Sequence, residues 1–188
     1  MITGLILCAL FLITVIAGTT IYNALITRKN DVDNMMGSID AILKKRYDLI
    51  PNLVTVVQQY STFEKSLLEK LTQLRSNALR PNQDIEEKAE LSAQITTSMR
   101  AFALTVENYP NLKANESFLH LQRSIAILEE ELSAARRVYN QAVTQYNNAR
   151  EMFPSNLIAQ LMHLESKTVF SSSQDEKASI NLKEVFVS

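Results

Sequence analysis

The sequence opens with a long stretch that carries no charge. Residues 1–27 are uncharged and mostly aliphatic, and the first charged side chain is Arg28. A helix needs about 20 apolar residues to cross the hydrocarbon core of a bilayer, so this stretch is long enough. A cleaved signal peptide has a basic start and a shorter apolar run, and neither is present. The stretch therefore predicts a retained transmembrane helix, with a cleaved signal or a helix lying in the membrane interface as the alternatives.

The positive charges near this stretch all follow it. Arg28 and Lys29 come at once, and residues 44–46 add two lysines and an arginine. Segments rich in lysine and arginine stay in the cytoplasm. The pattern therefore predicts a single-pass protein with its N-terminus outside and its C-terminal domain in the cytoplasm.

The composition favours long helices after the anchor. The 188 residues include only three glycines and four prolines, which leaves few tight turns for a sandwich or a barrel. A net charge of −1 argues against a nucleic-acid-binding surface. Cys8 is the single cysteine, which excludes an internal disulfide and a cysteine-based zinc site.

Apolar residues recur at alternating spacings of three and four, the pattern of helices that bury one stripe against their neighbours. This spacing predicts helices over 83–108 and 115–153. Charged residues on the opposite face of 115–153, including Glu129, are interpreted as solvent-exposed. The buried seam predicted for 83–108 is Ile95, Met99, Phe102 and Val106, with Leu91 and Leu104 broadening the stripe.

The first segment after the anchor contains a proline in the run KKRYDLIPNLVTVV. A proline in a helix interior removes a hydrogen bond and costs roughly 3 kcal/mol. The apolar seam nevertheless stays in phase on both sides of Pro51, and no polar or glycine-rich loop accompanies it. We predict one helix over 28–79, bent at Pro51 and continuous with the anchor. The alternative is a break at Pro51, which a reversal of the chain within a few residues of it would reveal.

The chain changes character after Phe153-Pro154. A short helix is predicted over 156–166, and 169–188 is predicted to be a flexible tail with the apolar end INLKEVFVS. We expect that end to fray or to pack on the bundle. The alternative is that it adds to the sheet edge of a partner. The predicted fold class is all-α: a transmembrane anchor over 1–27 and an antiparallel up-and-down bundle over 28–168, with three long helices and a short fourth.

Polar residues gather around the proline. Arg46 occupies a seam position, and Asp48 and Asn52 flank Pro51. The simplest interpretation is a structural cluster that satisfies carbonyl groups freed by the proline, and the alternative is a docking surface for a partner protein. The turn YPNLK is a second candidate contact site, or else a plug at the end of the bundle: Tyr109, Pro110, Leu112 and Lys113.

No catalytic or metal-binding constellation is apparent in the sequence. His120 and His163 fall in different predicted helices, and neither has a second ligand at metal-binding spacing. Gly4, Gly18 and Gly37 are too far apart to cradle a phosphate. We therefore expect no enzyme activity, no cofactor and no metal.

Three segments resemble the LemA family of bacterial membrane proteins. They are YNALITRKNDVDNMMGSIDAILKKRYDLIPNLV at 22–54, ENYPNLKANESFLHLQ at 107–122 and ARRVYNQAVTQYNNAREMFPSNLIA at 135–159. The resemblance implies an N-terminal helix in the bacterial inner (plasma) membrane, followed by an antiparallel helical bundle. The chain departs from the family pattern at Met36, where an aromatic residue is usual, and at 162–164, where Gly-Phe is common.

The resemblance also implies an unknown biochemical activity, a link to envelope stress and a complex with a membrane zinc metalloprotease of the heat-shock type. We expect a non-enzymatic, membrane-anchored scaffold or adaptor that binds membrane proteins through its bundle, forms homo-oligomers and binds no nucleic acid. The alternative is a self-assembling protein that shapes or organises the membrane. An enzyme or small-molecule sensor would need a pocket between helices, and no residue pattern in the sequence indicates one.

Overall fold

A computed structural model describes residues 2–60 and 63–170 of the chain. Within these ranges the chain is mainly helical and contains no strand, which confirms the all-α prediction. The polar run and the apolar end of the predicted tail lie outside the described residues. The helices are α1 (Ile2–Gln58), α2 (Lys65–Ala78), α3 (Ile85–Val106), α4 (Pro110–Lys113), α5 (Glu116–Glu151) and α6 (Ser155–Leu161).

The chain divides into two compact units, each built from two stretches of sequence. The anchor unit contains residues 2–38 and 135–169, and the bundle unit contains the described part of 39–134 with Phe170. Helices α1 and α5 contribute to both units, because each runs across a boundary. The predicted borders between anchor, bundle and tail stay predictions.

Helix α1 continues through Pro51 and ends only at Gln58. The next helix, α2, runs back alongside α1, since Arg75 near its end donates from Nε to the carbonyl oxygen of Tyr47 at 2.9 Å. The prediction of a single helix over 28–79 is therefore wrong beyond Gln58. The alternative, a break at Pro51, is wrong as well, because the chain reverses after Gln58 instead.

The reversal between α1 and α2 has a local cause. The connecting sequence QYSTFE contains a serine and a threonine, residue types that favour turns over helix interiors. The amides of Tyr60 and Phe63 each bond to the carbonyl three residues back at 2.9 Å. The apolar spacing stays in phase across the turn because both helices bury a face, with Leu53, Val57 and Leu71 at most 1% exposed. In this segment, apolar spacing alone does not distinguish one helix from an antiparallel pair.

The core of the bundle unit is formed by the apolar seams of its helices. Phe63 lies 5.3 Å from Phe102 and 5.1 Å from Tyr109, measured between ring centroids. Phe102 in turn lies 6.1 Å from Phe118, so the four rings form a continuous cluster. The seam predicted for the helix over 83–108 is confirmed as buried: Ile95, Met99, Phe102 and Val106. The prediction that Leu104 broadens this seam is wrong, because Leu104 is 70% exposed and lies about 200° around the helix from Phe102.

The anchor unit joins the first part of α1 to the last part of α5 and the segment after α6. Lys167 Nζ lies 2.9 Å from Asp33 Oδ1, and the Tyr139 hydroxyl donates to the carbonyl of Thr168 at 2.9 Å. Residues 2–17 of α1 are all exposed. Among the described residues, α1 contains the one stretch that is long and apolar enough to cross a membrane, with a mean hydropathy of 2.4.

Helix α6 is followed, two residues after its end, by a residue with left-handed backbone conformation. His163 has a φ of 51°. The Leu164 amide bonds to the Ala159 carbonyl at 3.0 Å, and the His163 amide bonds to the Gln160 carbonyl at 3.1 Å, which is the Schellman arrangement. This cap ends the helix at Leu161, earlier than the sequence predicted.

Candidate functional site

A side chain from α2 donates a hydrogen bond to the carbonyl that Pro51 cannot bond within the helix. Pro51 has no N–H, so it cannot bond to the carbonyl of Tyr47 four residues back. Arg75 Nε donates to that carbonyl at 2.9 Å, and Arg75 Nη2 lies 3.6 Å from Asp48 Oδ1. In the sequence, Arg75 is not distinguished from the other charged residues of its helix. The signal that pointed to such a donor was the position of Tyr47, four residues before a proline inside a helix.

Asp48 binds two cations at the surface of α1. Lys44 Nζ donates to Asp48 Oδ2 at 2.9 Å, one helical turn before it, and Arg75 approaches from α2. The hydrogen bond from Lys44, with the positive charges of Lys44 and Arg75, holds the pKa of Asp48 below its ordinary value of 3.8, against some desolvation. Asp48 is therefore a carboxylate at neutral pH that helps to hold Arg75 in place.

Arg46 lies apart from this group, inside the bundle unit. Its side chain is 0% exposed, and Nη2 lies 2.5 Å from Glu129 Oε1 of α5. Nη2 also donates to Thr96 Oγ1 at 2.8 Å, and Nη1 donates to Ser92 Oγ at 3.3 Å, both on α3. The interpretation of Glu129 as part of a purely solvated face is wrong, because this carboxylate is the counter-ion of a buried guanidinium. Arg46 thus links three helices.

Asn52 is exposed and lies one helical turn after Asp48 on α1. It borders a shallow depression of about 630 Å³ together with Val56 of α1 and residues of α5, including Glu116, His120 and Arg123. The structure therefore separates the predicted cluster into three places: Asp48 with Arg75, Arg46 in the core, and Asn52 at this depression.

The YPNLK turn forms α4 and closes one end of the bundle unit. Leu112 is 0% exposed, and the ring of Tyr109 packs on Phe63. Pro110 and Lys113 are exposed, and Lys113 Nζ lies 3.5 Å from Glu107 Oε1. Tyr109 and Leu112 therefore pack into the bundle, whereas Pro110 and Lys113 remain on its surface.

A second depression lies between the end of α1 and α2. It has a volume of about 670 Å³ and is lined by both apolar and charged residues. The lining of the depression includes Val54, Val57, Phe63, Leu68, Lys65 and Glu69.

Among residues 2–60 and 63–170, no three His, Cys, Asp or Glu side chains come together in a way that could hold a metal ion.

Comparison with known proteins identifies one family. Residues 35–183 match the family model described as the LemA family. The chain is 29% identical over 163 residues to Protein LemA of Metamycoplasma hominis, a match that covers 87% of this chain and 74% of the relative.

More distant similarity extends to magnetosome proteins. The chain is 20% identical over 163 residues to Magnetosome protein MamQ 2 of Paramagnetospirillum magneticum, covering 73% of this chain and 60% of the relative. It is 20% identical over 165 residues to Magnetosome protein MamQ of Magnetospirillum gryphiswaldense, covering 74% and 61%. The match therefore spans only about three fifths of the length of each MamQ protein.

Proposed function

Since the chain belongs to the LemA family, we propose that it is a non-enzymatic scaffold or adaptor anchored in the bacterial inner membrane. Its helical bundle binds protein partners, and the partner that the family resemblance favours is a membrane zinc metalloprotease of the heat-shock type. The adaptor regulates this protease during envelope stress.

The observation that carries this proposal is the continuity of α1. The exposed apolar residues 2–17 and the buried seam from Ile39 to Val57 belong to one unbroken helix. The proposed anchor and part of the bundle unit are therefore continuous within one helix. That connection is what a membrane-tethered adaptor requires.

The exposed members of the two candidate clusters are the partner-binding residues in this proposal. Asp48 keeps 47% of its side chain exposed and Lys113 keeps 61%, and Asn52 and Pro110 are also exposed. Arg46 and the buried Leu112 support the surface from inside. Rims of exposed polar residues next to apolar depressions are common at protein interfaces.

Purification from native membranes tests the adaptor function. The tagged full-length chain, crosslinked before solubilisation, is expected to recover the zinc metalloprotease by mass spectrometry. The exposed changes Asn52→Arg and Lys113→Glu are expected to lower that recovery. Lys70→Glu, the same charge change as Lys113→Glu at an exposed position of α2, is the control for that variant. Recovery of the monomer alone would overturn the proposal.

The orientation proposed for the anchor places the N-terminus outside and the bundle in the cytoplasm. Arg28 and Lys29 follow the uncharged stretch directly and favour the cytoplasmic side. Protease added to spheroplasts is expected to leave the bundle intact until the membrane is permeabilised. Digestion of the bundle before permeabilisation would reverse the orientation.

Self-assembly is the second candidate function. In the bundle unit, Leu104 of α3 is 70% exposed and Ile127 of α5 is 57% exposed, and such apolar side chains favour contact with another surface. A self-assembling membrane-organising protein is expected to give rings or filaments by electron microscopy after solubilisation. A discrete small complex would favour the adaptor.

A further inference from the structure

Four large apolar side chains are exposed at the end of α5 and along α6. Met152 is 60% exposed, Phe153 78%, Leu157 58% and Leu161 82%. We call these four residues the α6 patch. So many exposed apolar side chains within ten residues mark a surface that contacts something other than water.

The α6 patch is held in a fixed position by polar contacts on its inner side. Ser155 Oγ donates to the Ala149 carbonyl at 2.6 Å, and Arg150 Nε donates to the Leu164 carbonyl at 2.8 Å. Ala159 is 1% exposed and faces inward. Leu157 and Leu161 are four residues apart and therefore share the outward face of the helix.

The antiparallel register of the anchor unit gives the height of the patch along α1. Arg28 Nη1 donates to the carbonyl of Gln145 at 3.3 Å, which sets these residues level with each other. Glu151, the last residue of α5, lies six residues further along the helix and therefore level with about residue 22 of α1, and Met152 follows it directly. The patch is thus about 10 Å beyond Arg28, on the side of the uncharged stretch.

The length of the uncharged stretch places this height at the membrane surface. Residues 2–27 form about 40 Å of helix, against about 30 Å for the hydrocarbon core of a bilayer. The end of the stretch next to Arg28 therefore extends about 10 Å into the interface, where Tyr22, 46% exposed, is a typical interfacial side chain.

We propose that the α6 patch inserts into the membrane interface, so that α6 makes a second contact with the lipid beside the anchor. This inference rests on the proposed membrane anchor. The occupant is lipid because the patch is exposed and apolar and lies at the height where the uncharged stretch of α1 meets the bilayer. The nearest exposed acid, Glu151, has Arg150 as a partner at 3.4 Å, which offsets its charge. Apolar side chains on one face with polar contacts on the other are the pattern of interfacial helices.

Site-specific fluorescence in lipid vesicles tests the insertion. Changing the single cysteine, Cys8→Ser, gives a cysteine-free full-length chain. Single cysteines then replace Leu161 in the patch, Leu12 in the anchor and Lys65 in the bundle unit, whose side chain is 88% exposed. Each is labelled with a small environment-sensitive fluorophore. Quenching is measured with iodide in the water and with lipids that carry a nitroxide either near the headgroup or deep in the chain.

The label at Leu161 is expected to be quenched strongly by the headgroup nitroxide and several-fold less by iodide than the label at Lys65. A cysteine at Phe153 is expected to give the same result. Equal iodide quenching at Leu161 and Lys65 would overturn the proposal. Protection from both iodide and lipid nitroxide would also overturn it, because protein then covers the patch.

The label at Leu12 separates this inference from the proposed anchor. Deep-nitroxide quenching at Leu12 without headgroup-nitroxide quenching at Leu161 rejects the α6 contact and keeps the anchor. Absence of lipid quenching at Leu12 rejects the anchor and the α6 contact together.

Discussion

Arg75 Nε lies 2.9 Å from the carbonyl oxygen of Tyr47, the backbone acceptor that Pro51 cannot reach with an N–H of its own. A proline inside a helix costs roughly 3 kcal/mol, and part of that cost is the lost hydrogen bond. The guanidinium supplies a replacement donor from a different helix. The break that a proline usually causes is thereby avoided, and α1 continues for another two turns to Gln58.

Removing the guanidinium tests this relationship directly. Arg75→Ala is expected to lower the free energy of unfolding by about 1–3 kcal/mol, because a carbonyl next to the core loses its donor. In a Pro51→Ala background the same change is expected to cost less, since the new N–H can bond to Tyr47. Both chains lose the contact of Arg75 with Asp48, so the difference isolates the bond to Tyr47.

Urea unfolding of the detergent-solubilised full chain, followed by circular dichroism, measures these free energies. Lys70→Ala, on an exposed position of the same helix, is the control and is expected to change little. An equal cost of Arg75→Ala with and without Pro51 would show that the bond to Tyr47 does not support the proline.

The ion pair of Arg46 and Glu129 predicts that removing one of the two charges lowers the free energy of unfolding more than removing both. Glu129→Ala leaves a buried guanidinium without its counter-ion and is expected to cost about 3 kcal/mol, the lower part of the usual range because Glu129 is 35% exposed. The double change Arg46→Met with Glu129→Leu removes both charges and is expected to recover most of this loss. The midpoints of thermal and urea unfolding show which variant is more stable. A double variant that is less stable than Glu129→Ala would contradict the prediction.

The left-handed residue after α6 predicts a stabilising substitution. His163 has a φ of 51°, a conformation in which a side chain costs about 1 kcal/mol relative to glycine. His163→Gly is expected to raise the free energy of unfolding by about that amount and to increase Tm. Asn82, with a φ of 61°, is the matched control. Because asparagine tolerates this conformation, Asn82→Gly is expected to have a much smaller effect, and equal effects at the two sites would refute the explanation.

Asp48 predicts a loss of stability in acid. Its pKa in the folded protein lies below the ordinary value of 3.8, so folding favours the charged form. That contribution is complete above about pH 5 and is lost as the pH falls through 3.8 and then through the lower folded-state pKa. The stability difference between wild type and Asp48→Asn is therefore expected to shrink on acidification below pH 5. A difference that grows in that range would reverse the assigned direction of the shift.

The buried seams could be predicted from the sequence because burial of one face imposes a regular spacing on apolar residues. The seam of α3, from Ile95 to Val106, is the clearest case. The turn after Gln58 could not be predicted in the same way. The seams before and after it are in phase, and no glycine or proline marks it.

The polar contacts were harder to predict because their partners are distant in the sequence. Arg46 was recognised as an odd residue in an apolar seam, but its partner Glu129 resembled the surface charges around it. Arg75 resembled any charged residue on an amphipathic helix. In both cases the deciding fact is which helices lie side by side, and a spacing within one helix contains no such information.

The burial of Arg46 also has a consequence for biosynthesis. Arg46 leaves the ribosome long before Glu129, because the two residues are in α1 and α5. If the proposed anchor is inserted during synthesis, Glu129 has not yet been made, and Arg46 is a positive charge within about 20 residues of the end of the anchor, where such charges oppose translocation. Under the proposed orientation, the same side chain first favours the cytoplasmic location of the nascent bundle and only afterwards becomes part of the folded interior.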